Sequence, residues 1–270
     1  MQKAILILSA VLITALTLTS CNKKGCTDPM ASNYDASAEK DDGSCVLPDP
    51  EPAPTSDYLN PNLTYGSVTD LDGNSYATIQ IGTQTWMAEN LRTTKYCNGD
   101  PIPNVTDGDE WSNLTTGAWS HYNNNTQYEI PYGKLYNWYA VEDSRNVCPC
   151  GWHVPTDEEW ITLIGYLDIS ADVNLIGIQS VTAGGKMKSS GTQYWQTPNT
   201  GATNESGFSG LPSGIRVGGF SNVGRLGRWW SSSESSTYFA DVCELYYESG
   251  YVWTLYYDKP WGLSVRCLMD

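Results

Sequence analysis

The sequence has 270 residues, with 15 basic and 30 acidic side chains, and therefore a formal net charge of −15 at pH 7. An acidic surface gains nothing from counterion release, so nucleic acid and anionic lipid headgroups are excluded as expected partners. The chain has two histidines, His121 and His153, which leave little material for a histidine metal site or a catalytic triad.

Residues 1–20 have the pattern of a signal peptide. Lys3 precedes an apolar run over residues 4–18 that is too short to span a bilayer comfortably. The run ends in Leu-Thr-Ser-Cys, which resembles the cleavage site of bacterial lipoproteins, where the cysteine is acylated. The resemblance implies that Cys21 is lipidated and anchors the chain stably to a membrane. The alternative is an ordinary signal peptide that happens to contain a cysteine.

Residues 21–47 contain this cysteine and a small acidic module bracketed by Cys26 and Cys45. The module has almost no apolar content and cannot bury a core. A disulfide between its two cysteines would be its main constraint, worth about 3 kcal/mol on a loop-entropy estimate.

Three carboxylates of this module are candidate metal ligands. Asp35, Asp41 and Asp42, with Gly43 for a turn, offer the hard oxygen atoms that calcium binds. Their spacing is not that of an EF-hand, so a disulfide-stapled spacer without metal is the favoured alternative. Calcium is the one cofactor that the sequence suggests.

Residues 48–64 are rich in proline and acidic side chains, which favour an extended chain and predict a stalk. Residues 65–270 then have the length of one compact domain. Short β-like runs dominate it, including a hairpin that turns at Asp72-Gly73. One stretch, TDEEWITLIGYL, is clearly helical, and GKLYNWYAVE is a weaker helix candidate. The fold class is therefore α+β.

The helical stretch begins with a capping box. Thr156 and Glu159 stand three positions apart, where each side chain accepts from the other residue's amide. An apolar stripe follows at helical spacing and consists of Trp160, Leu163, Ile164 and Leu167. The acids of this stretch thus have a structural role. A catalytic carboxylate, or a zinc site built from Cys148, Cys150 and His153, is the weaker interpretation.

A series of motifs in fixed order resembles one known family. They include SVTDLDGNSYATIQIG, YGKLYNWYAV, CPCGWHVPTDEEW, GGKMKSSG, TNESGFSGLPSGIR, WWSSSE and GLSVRC. Together they look like the Fibrobacter succinogenes major paralogous domain, over residues 68–270. The resemblance implies a secreted or lipoprotein-anchored surface domain without an assigned activity.

A second resemblance concerns the fold. HVPTDEEW followed far downstream by GLSVRC is similar to formylglycine-generating-enzyme-type domains, a branch of the C-type-lectin-like fold. This resemblance implies short twisted antiparallel strands, one or two helices and much irregular loop. The copper-binding cysteines of that enzyme have no match here, so its oxidase activity is not carried over.

The resemblance also suggests a disulfide between Cys148, just before the helix, and Cys267 in the final strand. Besides Cys21, seven cysteines remain in an oxidising compartment, so at least one is free or pairs between chains. The partners of Cys97, Cys150 and Cys243 stay open.

Tryptophan and tyrosine are abundant and phenylalanine is rare, a bias suited to wet binding surfaces. Both faces of the last long strand carry aromatic residues, and a single sheet buries only one face well. A nearby glycine-rich loop over residues 217–228 adds arginine. The candidate ligand-binding residues are Tyr247, Tyr256, Trp261 and Arg228. The alternative is that these side chains only pack.

We therefore expect a non-enzymatic lipoprotein of the outer membrane or cell surface that binds glycan or protein ligands for adhesion or substrate capture. A purely structural envelope protein is the alternative. An enzyme related to the formylglycine-generating type is the weaker alternative.

Overall fold

The computed structural model of the protein describes residues 23–27, 31, 33–45 and 56–270. The chain divides into two compact units, Met1–Glu51 and Pro52–Asp270, which are treated separately below. The predicted signal peptide, Cys21 and residues 48–55 of the predicted stalk lie outside the described residues. Within these residues, no helix has the length and apolar character needed to cross a membrane.

In the first unit, strands β1 (Lys24–Gly25) and β2 (Lys40–Asp41) pair in parallel. The disulfide Cys26–Cys45 closes the module, which is the pair named above. The secondary structure is minimal, as expected for a segment without an apolar core.

The second unit combines many short strands with few helices. The strands are β3 (Gly66–Thr69), β4 (Ser75–Ile81), β5 (Gln84–Met87), β6 (Trp119–Ser120), β7 (Leu135–Tyr136), β8 (Trp152–His153), β9 (Gly177–Ser180), β10 (Ser213–Val217), β11 (Gly219–Val223), β12 (Leu226–Glu234), β13 (Phe239–Tyr246), β14 (Val252–Asp258) and β15 (Leu268–Met269). The helices are α1 (Gly108–Ser112), α2 (Glu129–Tyr132), α3 (Trp138–Val141), α4 (Asp157–Leu167) and α5 (Ala183–Met187). The α+β class is confirmed.

A five-stranded sheet has the order β3-β4-β5-β15-β8 and is antiparallel throughout. Its first hairpin turns at Asp72-Gly73, as predicted, with Gly73 at a φ of 83°. Asp70 stabilises this turn, because its Oδ1 accepts from the amides of Asp72 and Asn74, both at 2.9 Å. On the far side, β15 joins β5 to β8.

A four-stranded antiparallel sheet has the order β12-β13-β14-β9. Each of its faces contacts a different hydrophobic core. Trp230 and Val242 belong to the first core, whereas Trp229 and Leu245 belong to the second. This sheet is therefore buried on both sides along β12 and β13.

Helix α4 begins with the predicted capping box, which is confirmed. The Thr156 hydroxyl accepts from the Glu159 amide at 3.3 Å, and Glu159 Oε2 accepts from the Thr156 amide at 2.8 Å. The apolar stripe packs into the second core, with the Trp160 ring 4.8 Å from that of Trp86.

The weaker helix candidate over residues 133–142 was wrong as one helix. It divides into strand β7 and the single turn α3. Asn137 separates the two, because its Oδ1 accepts from the amides of Ala118 and Ala140 and thereby caps α3. A capping side chain in the middle of the stretch thus overrides its apolar pattern.

Candidate ligand-binding site

A row of partly exposed aromatic side chains follows β14. Side chains along a strand alternate between faces, and the unbroken register with β13 places Trp253, Leu255 and Tyr257 on one face. Two further rings extend this row through ring contacts at its ends. We call the row the aromatic strip: Tyr251, Trp253, Leu255, Tyr257 and Trp261, all of intermediate exposure.

The local sequence explains why the strip forms. Strand β14 reads VWTLYYD, which is rich in residues that favour strands and has no glycine or proline. A tight turn then reverses the chain, with the Trp261 amide donating to the Asp258 carbonyl at 2.9 Å. This turn brings the Trp261 ring onto the Tyr257 ring, 4.6 Å away and inclined by 19°.

The strip is long. At about 3.3 Å per residue, the six steps from Tyr251 to Tyr257 span about 20 Å. At the near end the Tyr251 and Trp253 rings lie 5.6 Å apart. Neighbouring strand β9 adds Ile178, which lies opposite Trp253 and is 43% exposed. A partly exposed apolar patch of this kind can serve as an interaction surface.

A buried ion pair lies beside the strip. Arg228 on β12 is directly opposite Glu244 on β13, and its Nε donates to the Glu244 carboxylate. The Arg228 guanidinium also lies 4.4 Å from the centre of the Tyr257 ring. The Tyr257 hydroxyl donates to Glu244 at 3.1 Å, and burial raises the pKa of Tyr257 to about 12. These contacts therefore restrain the Tyr257 side chain, and the Trp261 ring stacks on it.

A cavity lies at each end of the strip. At the Tyr251 end a cavity of about 490 Å³ is lined by polar and charged residues, among them Thr182, Thr200, Thr203, Ser249, Lys186, Glu205 and Glu248. At the other end Trp261 lines a cavity of about 230 Å³ together with Trp111, Val217 and Asp258.

Two of the four predicted ligand-binding residues are not on an open surface. Tyr247 is 8% exposed and packs in the second core, where it contacts Arg225 rather than Arg228. Arg228 is also 8% exposed because Glu244 and Tyr257 cover it. The expectation that Tyr247 is exposed is therefore wrong, and neither side chain offers an open surface to a ligand.

The other two predicted residues are separated from each other. Trp261 belongs to the aromatic strip, next to Tyr257, which Arg228 also contacts. Tyr256 is 48% exposed but lies on the opposite face of β14, where its ring contacts Phe239. The structure thus brings Trp261 and Arg228 together around one ring and leaves Tyr256 outside the site.

Tyr251, Trp253 and Tyr257 were missed as site residues. The period-two pattern groups them on one face of the strand, so this part of the signal is present in the sequence. Which face remains accessible depends on the two cores, and the sequence pattern does not contain that information.

The three candidate calcium ligands form hydrogen bonds or an ion pair with other residues of the module. Asp35 accepts from Lys23 and from Ser37, and these bonds lower its pKa to about 2. Asp41 and Asp42 accept from the amides of turn residues that follow them. In the described part of the chain, no group of three histidine, cysteine or acidic side chains is arranged to hold a metal ion. The three aspartates are therefore not assembled into a site.

The second unit contains two disulfides. Cys148–Cys267 is the pair that the resemblance suggests, and Cys97–Cys150 resolves a pairing that the sequence left open. Both sulfurs of the considered zinc motif are therefore occupied. Cys243 is free and buried, and burial raises the pKa of its thiol, which makes it unreactive.

Three buried cations of the ordered motifs have structural roles. Lys188 donates to three backbone carbonyls, Arg216 to three others, and Arg266 to Asn90 and two carbonyls. Aromatic rings cover each of them. These three motif residues therefore contribute to the packing of the core.

Residues 79–269 match the family profile of the Fibrobacter succinogenes major domain. No curated protein and no solved structure matches the chain. The matched segment includes the four-stranded sheet, the five-stranded sheet from within β4 onward, helix α4, the aromatic strip and the three buried cations. The chain therefore belongs to the Fibrobacter succinogenes major domain family.

Proposed function

We propose that this protein is a non-enzymatic lipoprotein of the outer membrane or cell surface whose second unit binds glycans through the aromatic strip, for adhesion or substrate capture. The single observation that carries the proposal is the strip itself. An exposed ring offers a flat apolar face to the C–H groups of a sugar, and nearby polar groups can then bind the sugar hydroxyls.

The charged groups at the strip support binding rather than catalysis. Arg228, Glu244 and Tyr257 are bound to each other and buried or half-buried. A general base or nucleophile would need access to a substrate atom. Because these three side chains restrain one another, they favour a rigid binding surface.

A C-type-lectin-like architecture is part of the proposal. It is supported by a capped helix that follows Pro155, by its packing on strands, and by the late strand β15 between β5 and β8. Membrane attachment through Cys21 is likewise proposed, on the basis of the apolar leader and the residues that precede this cysteine.

A glycan array tests the proposal, with the full-length protein carrying Cys21→Ser so that it stays soluble. We expect binding to at least one glycan and expect Trp253→Ala and Trp261→Ala each to weaken it about tenfold. Tyr256→Ala is the matched control, because it removes an exposed ring of the same strand on the other face. Unchanged circular dichroism shows that the variants fold.

Two results would contradict the proposal. If the protein binds no glycan at all, a structural envelope protein or a binder of protein ligands is the better account. If Tyr256→Ala weakens binding as much as the strip variants do, the site lies elsewhere.

A further inference from the structure

We propose that the ligand is an extended, uncharged polysaccharide that lies along β14, with separate sugar units of one chain on Trp261, on Trp253 and on Tyr251. This inference rests on the proposed function, namely that the aromatic strip binds glycans. The inference adds the chemical class of the ligand and the strand along which the ligand lies.

The geometry of the strip indicates an extended ligand. Its rings follow a single strand over about 20 Å, whereas one sugar unit would need one or two rings. Tyr257 is engaged by Arg228 and by Trp261, so the accessible rings are Trp261 at one end and Trp253 with Tyr251 at the other. Leu255 provides an apolar step between them. Separated stacking positions of this kind fit several units of one chain.

A strip residue at each end, Tyr251 or Trp261, also lines a cavity. At the Tyr251 end the wall of the larger cavity includes Thr200 and Thr203, whose hydroxyls can donate to and accept from sugar hydroxyls. Beyond Trp261 the smaller cavity is bordered by Trp111 and Val217, the latter 46% exposed. A polymer can thus continue past the strip in both directions.

The charges indicate that this polymer is neutral. Within residues 56–270, the cations that border the strip and its cavities have acidic partners: Arg228 binds Glu244, and Lys186 lies 3.2 Å from Glu205. Asp258 borders the cavity at the Trp261 end, and Glu248 borders the one at the Tyr251 end. A uronate or sulfated polymer would find no unpaired cation here and would meet a carboxylate at either end.

Affinity gel electrophoresis of the full-length Cys21→Ser protein tests the ligand class. The panel pairs hydroxyethylcellulose with carboxymethylcellulose and galactan with polygalacturonate, and adds xylan, galactomannan, laminarin and dextran. We expect at least one neutral polymer to retard the protein and no anionic polymer to do so. Retardation by an anionic polymer that Trp253→Ala abolishes would overturn the charge argument while the proposed function stands.

Oligosaccharides of increasing length from the retained polymer then test the direction. By isothermal titration calorimetry, affinity should rise with length until the strip is spanned. Tyr251→Ala and Trp261→Ala should each weaken the longest oligosaccharide about tenfold. The shortest oligosaccharide occupies one position, so at least one of these end variants should leave its affinity unchanged. If Trp253→Ala does not fold, Trp253→Phe serves in its place, with a smaller expected loss.

The outcomes distinguish a failure of this inference from a failure of the proposed function. Affinity that is independent of length, or end variants that weaken every oligosaccharide equally, would show a single compact site. The inference would then fail while glycan binding remains. If no polymer of the panel retards the protein and the glycan array is also negative, the proposed function itself fails.

Discussion

The buried cations of the second unit are stabilised by backbone carbonyl groups and aromatic rings that surround them. The buried cations Lys188, Arg216 and Arg266 have no acidic partner within 4 Å among residues 56–270, and carbonyl oxygens and ring faces replace it. Burial lowers the pKa of Lys188 to about 8 and that of Arg266 to about 9. Such residues are recognisable in sequence only as polar positions in motifs, where they are easily mistaken for functional groups.

Asp241 is the residue with the clearest expected pH effect. Burial raises its pKa from 3.8 to about 6, and the nearby carboxylates Asp157 and Glu158 at the start of α4 act in the same direction, against a hydrogen bond from Ser235. A carboxyl group with a raised folded-state pKa favours the folded state below its unfolded pKa. This contribution is lost as the pH rises through about 6.

We therefore expect Asp241→Asn to raise the melting temperature at pH 7.5 and to leave it unchanged below about pH 4. Thermal unfolding followed by circular dichroism across this range measures the difference. Asp258→Asn is the control, because this exposed carboxylate lies at the end of the neighbouring strand. A gain that is equally large at low pH would refute the electrostatic explanation.

At the scale of elements, local sequence signals predict some parts and fail at others. The capping box predicts the start of α4, and Asp72-Gly73 predicts the first hairpin, because both depend on residues within a few positions. The stretch over residues 133–142 fails, since Asn137 forms bonds to Ala118, which is distant in sequence.

The candidate site shows the same limit. The alternation along β14 is readable in the sequence, but both faces carry aromatic residues. From the sequence, Tyr256 is therefore selected on this strand and Trp253 is missed. The packing of the two cores decides how far each ring is covered: Tyr257 and Trp261 pack against the first core, whereas Tyr256 is 48% exposed on the other face. The period-two pattern therefore predicts which residues share a face of the strand, but not what packs against that face.

The disulfide Cys148–Cys267 links the segment before α4 to the segment before β15 across 119 positions. Replacing both cysteines with alanine should lower the free energy of unfolding by about 2–5 kcal/mol, because the unfolded chain loses a long cross-linked loop. Urea unfolding measures this change. Non-reducing peptide mapping of the native protein should recover the three linked pairs and an unlinked Cys243.

Cys243→Ala is the matched control for this experiment, because it removes a buried sulfur that is in no disulfide. It should leave all three pairs intact. A double variant of Cys148 and Cys267 that unfolds at the same urea concentration as the native protein would exclude a stabilising role for the disulfide.

At the scale of the whole molecule, attachment to a membrane depends on one residue in the proposed scheme. Cys21 is the only candidate for acylation in the leader. We expect Cys21→Ser to move the protein from the membrane fraction to the soluble fraction and to abolish labelling with palmitate. The control is Ser20→Ala, which keeps a small residue before the cysteine. Labelling that persists in Cys21→Ser would exclude this lipid anchor.

The position of β15 has a consequence for when the second unit can fold. Leu268 pairs with Trp86 and with His153, so the strands on either side of β15 are joined only by a segment that is synthesised after every other strand. Contacts between such distant residues require large loops to close before they stabilise anything, and proteins of high contact order fold slowly. During synthesis the chain therefore has no complete five-stranded sheet. We expect this sheet to form only after β15 has been synthesised, which in the proposed scheme of export would keep the chain competent for translocation until then.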